Sequence, residues 1–80
     1  MGYYVYVLKS LRDGRTYKGL SKDVGKRLKE HNSGQTKSTK AYCPWVLIYK
    51  EECESLSIAR EREKYFKSGI GREFIKELKV

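Results

Sequence analysis

The sequence predicts an α+β domain: a small central antiparallel three-stranded sheet flanked by helices, in the order β-β-α-β-α-α. Three observations carry this. Two short stretches rich in β-branched and aromatic residues lie on either side of Asp13-Gly14, a hairpin signal. A third apolar run, Trp45 to Tyr49, has the length of a strand. The remaining segments space their apolar residues as helices do, behind residues suited to capping.

Taken in order, Tyr3 to Leu8 reads as the first strand and Arg15 to Leu20 as the second. Ser21 is the expected cap of a first helix from about Lys22, with Asp23 in its positively polarised first turn and Val24 and Leu28 on its inner edge. Asn32-Ser33-Gly34 supplies the stop, Gly34 being free to turn left-handed. Residues 33–41 form a polar loop, and Pro44 holds Cys43 extended. The run Trp45-Val46-Leu47-Ile48-Tyr49 does not alternate, which predicts a central strand covered on both faces. Ser55 or Ser57 caps a second helix reaching about Lys67, and Ser68-Gly69 ends it. A short last helix starts at Gly71, with Phe74, Ile75 and Leu78 inward.

The 80 residues are enough for one domain, expected over the whole of 1–80. At this size only about 60% of the unfolded chain's surface is buried on folding, so the core is modest. An apolar fraction of 39% still supports it without staples. Cys43 and Cys53 are not spaced as a C-x-x-C pair, and two thiols with one histidine make a poor zinc set. Both are expected to be free thiols in a reducing compartment. No apolar stretch approaches the roughly 18 residues of a membrane span. No signal peptide is expected ahead of the first strand. A soluble cytoplasmic protein with no membrane partner and no small-molecule cofactor is the expectation.

The net charge is +8, and it is unevenly spread. Residues 1–40 hold ten Lys/Arg against three acids, whereas residues 41–80 hold eight against seven. A polyanion is the natural partner of the first half, although a generic basic surface would have the same composition. The charge pattern does not separate DNA from RNA.

The second helix breaks its own pattern. On a helical wheel Leu56, Ala59, Phe66 and Ile70 form one stripe, with Glu63 in its middle and Glu61 nearly opposite. A carboxylate there is costly unless compensated. It can hold a metal ion, pair with a buried cation, or lie at a wet edge. On the first helix Arg27 and His31 share a face at i, i+4 and would suit a phosphate; a solvated basic face is the plainer reading. Tyr6 and Tyr17 lie on the two hairpin strands. With a two-residue turn they share a face but lie about 13 Å apart along it. A four- or six-residue loop keeps the face and brings them together.

These residues, in this order, resemble the GIY-YIG endonuclease domain, in particular its short stand-alone bacterial members. Tyr4-Val5-Tyr6 corresponds to the first motif and Tyr17-Lys18-Gly19 to the second. Arg27 follows ten residues after the second tyrosine, and His31-Asn32-Ser33-Gly34 closes the helix. Ala59, Glu63 and Lys67 match the later pattern and select Glu63 over Glu61. The resemblance spans essentially the whole chain. It implies metal-dependent hydrolysis of DNA phosphodiesters, in repair or recombination, selective for structure rather than sequence. Glu63 would hold one divalent ion, Mg²⁺ or Mn²⁺, and Arg27 would neutralise the scissile phosphate. Tyr17 would accept or orient the proton of the attacking water with Tyr6 in support, and His31 competes as the base. Lys18, Lys22, Lys26, Lys37 and Lys40 are the expected backbone contacts. The chain departs from the family by Tyr4 and Val5 in place of glycine and isoleucine, by Lys18 in place of isoleucine, and by Leu20 where some relatives carry lysine. It also has no asparagine beyond Glu63. A binding module of the same fold that does not cut, and a scaffold recruiting a partner through its last helix, are the competing readings.

Overall fold

A computed structural model of the chain describes residues 2–78. Strand β1 (Tyr3–Ser10) and strand β2 (Thr16–Ser21) form the hairpin, and helix α1 (Val24–Asn32) follows. A single 3-10 turn (Lys40–Tyr42) precedes strand β3 (Trp45–Cys53), and helices α2 (Leu56–Lys67) and α3 (Gly69–Glu77) complete the order. The sheet is antiparallel with strand order β2-β1-β3. The expected α+β architecture and element order are those observed.

The hairpin settles the tyrosine question. Tyr4 lies opposite Ser21 and Lys9 opposite Thr16, and the Ser10 amide donates to the Arg15 carbonyl at 2.8 Å. Four residues, 11–14, therefore turn the chain, with Gly14 at φ 81° supplying the left-handed step. This even-length loop puts Tyr17 opposite Leu8 and Gly19 opposite Tyr6, so Tyr6 and Tyr17 are diagonal neighbours on one face.

Central position falls to β1, not to β3. The mid-strand residues Val5, Tyr6, Val7 and Leu8 are all buried, at most 1% exposed. β3 is an edge strand, with Val46 and Leu47 each 37% exposed. Its missing alternation has another cause. Val7 pairs with Tyr49 but Leu8 pairs with Leu47, so Ile48 is an extra, bulged residue. Ile48 and Tyr49 then both pack toward the same cluster. The bulge mimics, in sequence, a strand covered on both sides.

The alternating side chains of β1 divide the core in two. Val5 and Val7 meet Cys53, Ala59, Phe66 and Ile75 beneath α2 and α3. Tyr6 and Leu8 meet Val24 and Trp45 beneath α1, with Tyr17, Leu28 and Tyr42 at the margin. α1 begins later than expected. Asp23, not Ser21, is its cap, taking the Lys26 amide on its carboxylate at 3.0 Å; the Ser21 hydroxyl accepts the Asp23 amide at 3.0 Å one step earlier. α2 is capped by Ser55. Ser68 ends α2 and caps α3, so α3 starts at Gly69 rather than Gly71. Ile70 therefore leaves the α2 stripe and is 72% exposed. Of the expected inner face of α3, Ile75 is buried and Leu78 half-buried, while Phe74 stays 37% exposed. The Phe74 ring centroid nevertheless lies 5.3 Å from that of Tyr49.

Phe66 is fully buried and touches the rings of Tyr49, Tyr65 and Phe74. Phe66→Ala is expected to cost about 3–5 kcal/mol, a large share of the stability of a small domain. Urea denaturation should show the midpoint falling with little change in slope.

Candidate active site

The site begins at Tyr6, held at the centre of the sheet and 1% exposed. Its hydroxyl lies 3.2 Å from Nε2 of His31, which α1 delivers from the opposite side of the same core. His31 is fully buried, and its Nδ1 lies 2.7 Å from Oγ1 of Thr39. The Thr39 hydroxyl in turn donates to the Thr36 carbonyl at 3.4 Å. One proton arrangement satisfies the chain: Thr39 accepts from Nδ1–H, leaving Nε2 to accept from the Tyr6 hydroxyl. The loop carrying Thr39 is fastened at its far end, where the Asn32 amide donates to the Trp45 carbonyl at 3.0 Å and the Trp45 indole donates to the Thr39 carbonyl at 3.0 Å.

Tyr17 is half-buried beside this chain. Its ring centroid is 4.8 Å from His31, 6.4 Å from Tyr6 and 6.2 Å from Trp45. Gly19 explains how the rings fit. A Cβ at Gly19 would sit 2.6 Å from the Tyr6 hydroxyl and 3.1 Å from the Tyr17 ring. The glycine of the second motif is thus a space left for the tyrosine of the first.

Burial pushes the Tyr6 hydroxyl above its ordinary value, and the nearby Tyr17 and Glu63 add to this; the hydrogen bond and charge of Arg27 work the other way. Burial also pushes His31 down, helped by the Arg27 charge and opposed by Glu30. At neutral pH the pair is a protonated phenol facing a neutral imidazole. Arg27 sits at the rim, its side chain 35% exposed and paired with Glu30, with its charge acting on the Tyr6 hydroxyl. The Glu63 side chain is 24% exposed and lies 3.4 Å from Lys67 Nζ. It lies at the wet edge of α2, as the third explanation expects, and the cation it pairs with, Lys67, is exposed rather than buried.

The structure therefore gathers Tyr6, Tyr17, Arg27 and His31, with Glu63 within electrostatic reach of the Tyr6 hydroxyl. His31 is sealed in: its Nε2 meets the Tyr6 hydroxyl and its ring packs against that of Tyr17. Lys22, Lys26, Lys37 and Lys40 are exposed. Lys18 is not on this face: it lies opposite Val7, toward α2 and α3, with its ammonium donating to the Thr16 hydroxyl at 2.8 Å. Sequence reasoning missed Thr39, which sits in a polar tract without periodicity. Its signal was faint, a threonine eight residues after the histidine.

The family model for the GIY-YIG catalytic domain matches residues 2–73. The chain belongs to the GIY-YIG family. This is a nuclease family, and the matched region is nearly the whole chain. Among its relatives, a UPF0213 protein of Staphylococcus saprophyticus is 40% identical over 67 residues, covering 82% of this chain and 80% of that protein. A UPF0213 protein of Staphylococcus aureus strain Mu3 is 42% identical over the same length, with the same coverage. The solution NMR structure of a UPF0213 protein from Bacillus halodurans has a TM-score of 0.58 and 34% identity, covering 99% of this chain and 86% of that one. Among the described residues no helix is long and apolar enough to cross a membrane. Both cysteines are free, Cys53 buried and Cys43 half-buried.

Two predictions follow from the buried chain. Gly19→Ala should displace the Tyr6 and Tyr17 rings, costing about 1–3 kcal/mol and moving the His31 ring resonances in NMR spectra. Because His31 is depressed in the folded state, the unfolded chain binds the extra proton first as pH falls. Stability should be full above about pH 6.5, the ordinary histidine value, and decline below it toward the folded value. Urea titrations between pH 5 and pH 8 should show this slope, and His31→Gln should remove it.

Proposed function

We propose that this protein is a divalent-metal-dependent endonuclease that hydrolyses DNA phosphodiester bonds, selecting by DNA structure rather than by sequence. DNA repair or recombination in the cytoplasm is the proposed setting. The observation that carries the reading is the Tyr6–His31–Thr39 chain. A small domain has little core to spend on polar groups, and an apolar filling of the same volume would be at least as stable. Burying a neutral imidazole behind a phenol, with a half-buried tyrosine and an arginine in front, suits proton transfer at a phosphate.

Arg27 is available for that phosphate. Its pair with Glu30 lies at the rim, the two side chains 35% and 24% exposed, and a phosphate oxygen can compete with the carboxylate for the planar fork. Tyr17 is the tyrosine that solvent reaches, and it orients the attacking water. Tyr6 and His31 stand behind it: the Tyr6 phenol is aimed at Nε2, so His31 can receive a proton through Tyr6, and Arg27 steadies the phenolate that forms. Lys22, Lys26, Lys37 and Lys40 supply sequence-independent backbone contacts.

Glu63 suits a divalent ion of the Mg²⁺ type. The described residues include no group of three or more His, Cys, Asp or Glu able to hold a metal, so Glu63 offers a single carboxylate. Mg²⁺ commonly binds through one or two carboxylates, retained waters and substrate phosphates. Such an ion, Mg²⁺ or Mn²⁺, would arrive with the nucleic acid, polarising the phosphate and neutralising the leaving oxygen.

The test is incubation of the purified protein with branched DNA, single-stranded DNA and RNA, each with Mg²⁺, Mn²⁺ or EDTA. Branched DNA should be cut with either metal and left intact in EDTA. Glu63→Gln should bind as the parent does and not cut, and Arg27→Ala should lose about 100- to 1,000-fold in rate. Cutting in EDTA overturns the metal, and normal cutting by Glu63→Gln overturns the ligand. Binding without cutting on any substrate makes the protein a binding module of the same fold.

A further inference from the structure

On the reverse face of the sheet, β2 and α3 flank an open cleft of about 360 Å³ whose lining includes Arg15, Lys18, Arg72 and Lys76 and no acidic residue. The hairpin brings Lys18 there because it alternates with Tyr17 and Gly19, which face the site. β2 is an edge strand, so one chain of a polyanion can contact both sides of it.

The cations of this cleft are unequally occupied. Arg15 is held by Asp13 at 2.7 Å and stacks 3.6 Å over the Tyr42 ring. Lys76 lies 3.9 Å from Glu73 in a pair that is almost wholly exposed, which is worth little. Among the described residues Arg72 has no ion pair, and the Lys18 ammonium has only the neutral Thr16 hydroxyl. Lys18 is half-buried, and burial followed by the charges of Arg72 and Lys67 pushes its ammonium below the ordinary lysine value. A fold that gathers cations and partly desolvates one of them leaves a place for an anion. The basic line continues toward the site: Lys67 is within electrostatic reach of Lys18 and 3.4 Å from Glu63.

We infer that the β2–α3 cleft is a second nucleic-acid contact, in which Lys18, Arg72 and Lys76 hold backbone phosphates of the strand whose scissile phosphate lies at Tyr17, Arg27 and Glu63. The inference rests on the nuclease reading for the position of that strand. The cleft adds affinity and wraps the strand around the β2 edge, but touches none of the reacting atoms.

The test compares the parent, Arg72→Ala/Lys76→Ala and a control of equal charge loss, Arg60→Ala/Lys64→Ala, whose two residues are exposed on the other side of α2. All four positions are exposed helical sites where alanine favours the helix. Binding to a branched DNA and to polyglutamate is measured across a salt series, with cleavage measured at saturating DNA. The cleft variant should lose about one to two units of the salt slope and bind at least tenfold more weakly at low salt. The control should stay near the parent, and saturated cleavage should be unchanged in both. Equal losses in both variants, or none in the cleft variant, overturn the cleft. Loss of binding to polyglutamate but not to DNA overturns it in favour of an acidic protein partner. Selective loss of DNA binding in a protein that never cuts leaves the cleft standing and removes the nuclease reading. A parent that does not bind DNA removes both.

Discussion

The hydrogen bond between the Tyr6 hydroxyl and His31 Nε2 is the contact on which the rest of the site depends. It joins the central strand to the first helix through groups that have both been taken out of water. Such groups must find partners inside the protein, and each partner constrains another element. His31 requires Thr39, which pins the polar loop. Thr39 offers its carbonyl to the Trp45 indole, and Trp45 is held by Asn32 at the end of α1. Tyr6 requires an opposite residue with no side chain, which fixes the hairpin register at Gly19. The described residues contain no buried side-chain nitrogen or oxygen without a partner, so this polar core is fully satisfied.

The central strand serves two ends at once. One set of its side chains builds an apolar floor under α2 and α3, while the other sets the Tyr6 phenol against the imidazole that α1 brings. The division lets the domain concentrate stability on one side and chemistry on the other. Glu63 and Lys67 lie along the wet edge of α2 between them, four residues apart.

Most of the fold was legible in the sequence because its signals are local. The hairpin glycine, the serine cap of α2 and the stop at Gly34, which has φ 82°, act within a few residues of themselves. The order of strands in the sheet was not local, and the bulge at Ile48 disguised an edge strand as a central one. In the site, the periodicity argument marked Glu63, and the parity argument asked for a loop of four or six residues, of which the hairpin has four. The burial of His31 was not legible: the i, i+4 spacing with Arg27 allowed a solvated face as readily, and only the tertiary position of Tyr6 decides between them. Thr39 was hidden for the same reason, since its bond depends on the tertiary placement of His31 and its own segment has no pattern. Lys18 followed the motif it sits in, although strand alternation turns it to the other side.

The fit of Gly19 against the Tyr6 hydroxyl has a consequence for how such sequences diverge. Two motifs that look like separate signatures are the two halves of one steric fit, a ring and the vacancy that admits it. Neither half can drift alone. Filling the vacancy expels the ring, and shrinking the ring leaves a void beside a buried imidazole. A lineage that loses either half sheds the pressure to keep the other, so the two should decay together, whereas the surface lysines, bound by no such fit, are free to wander.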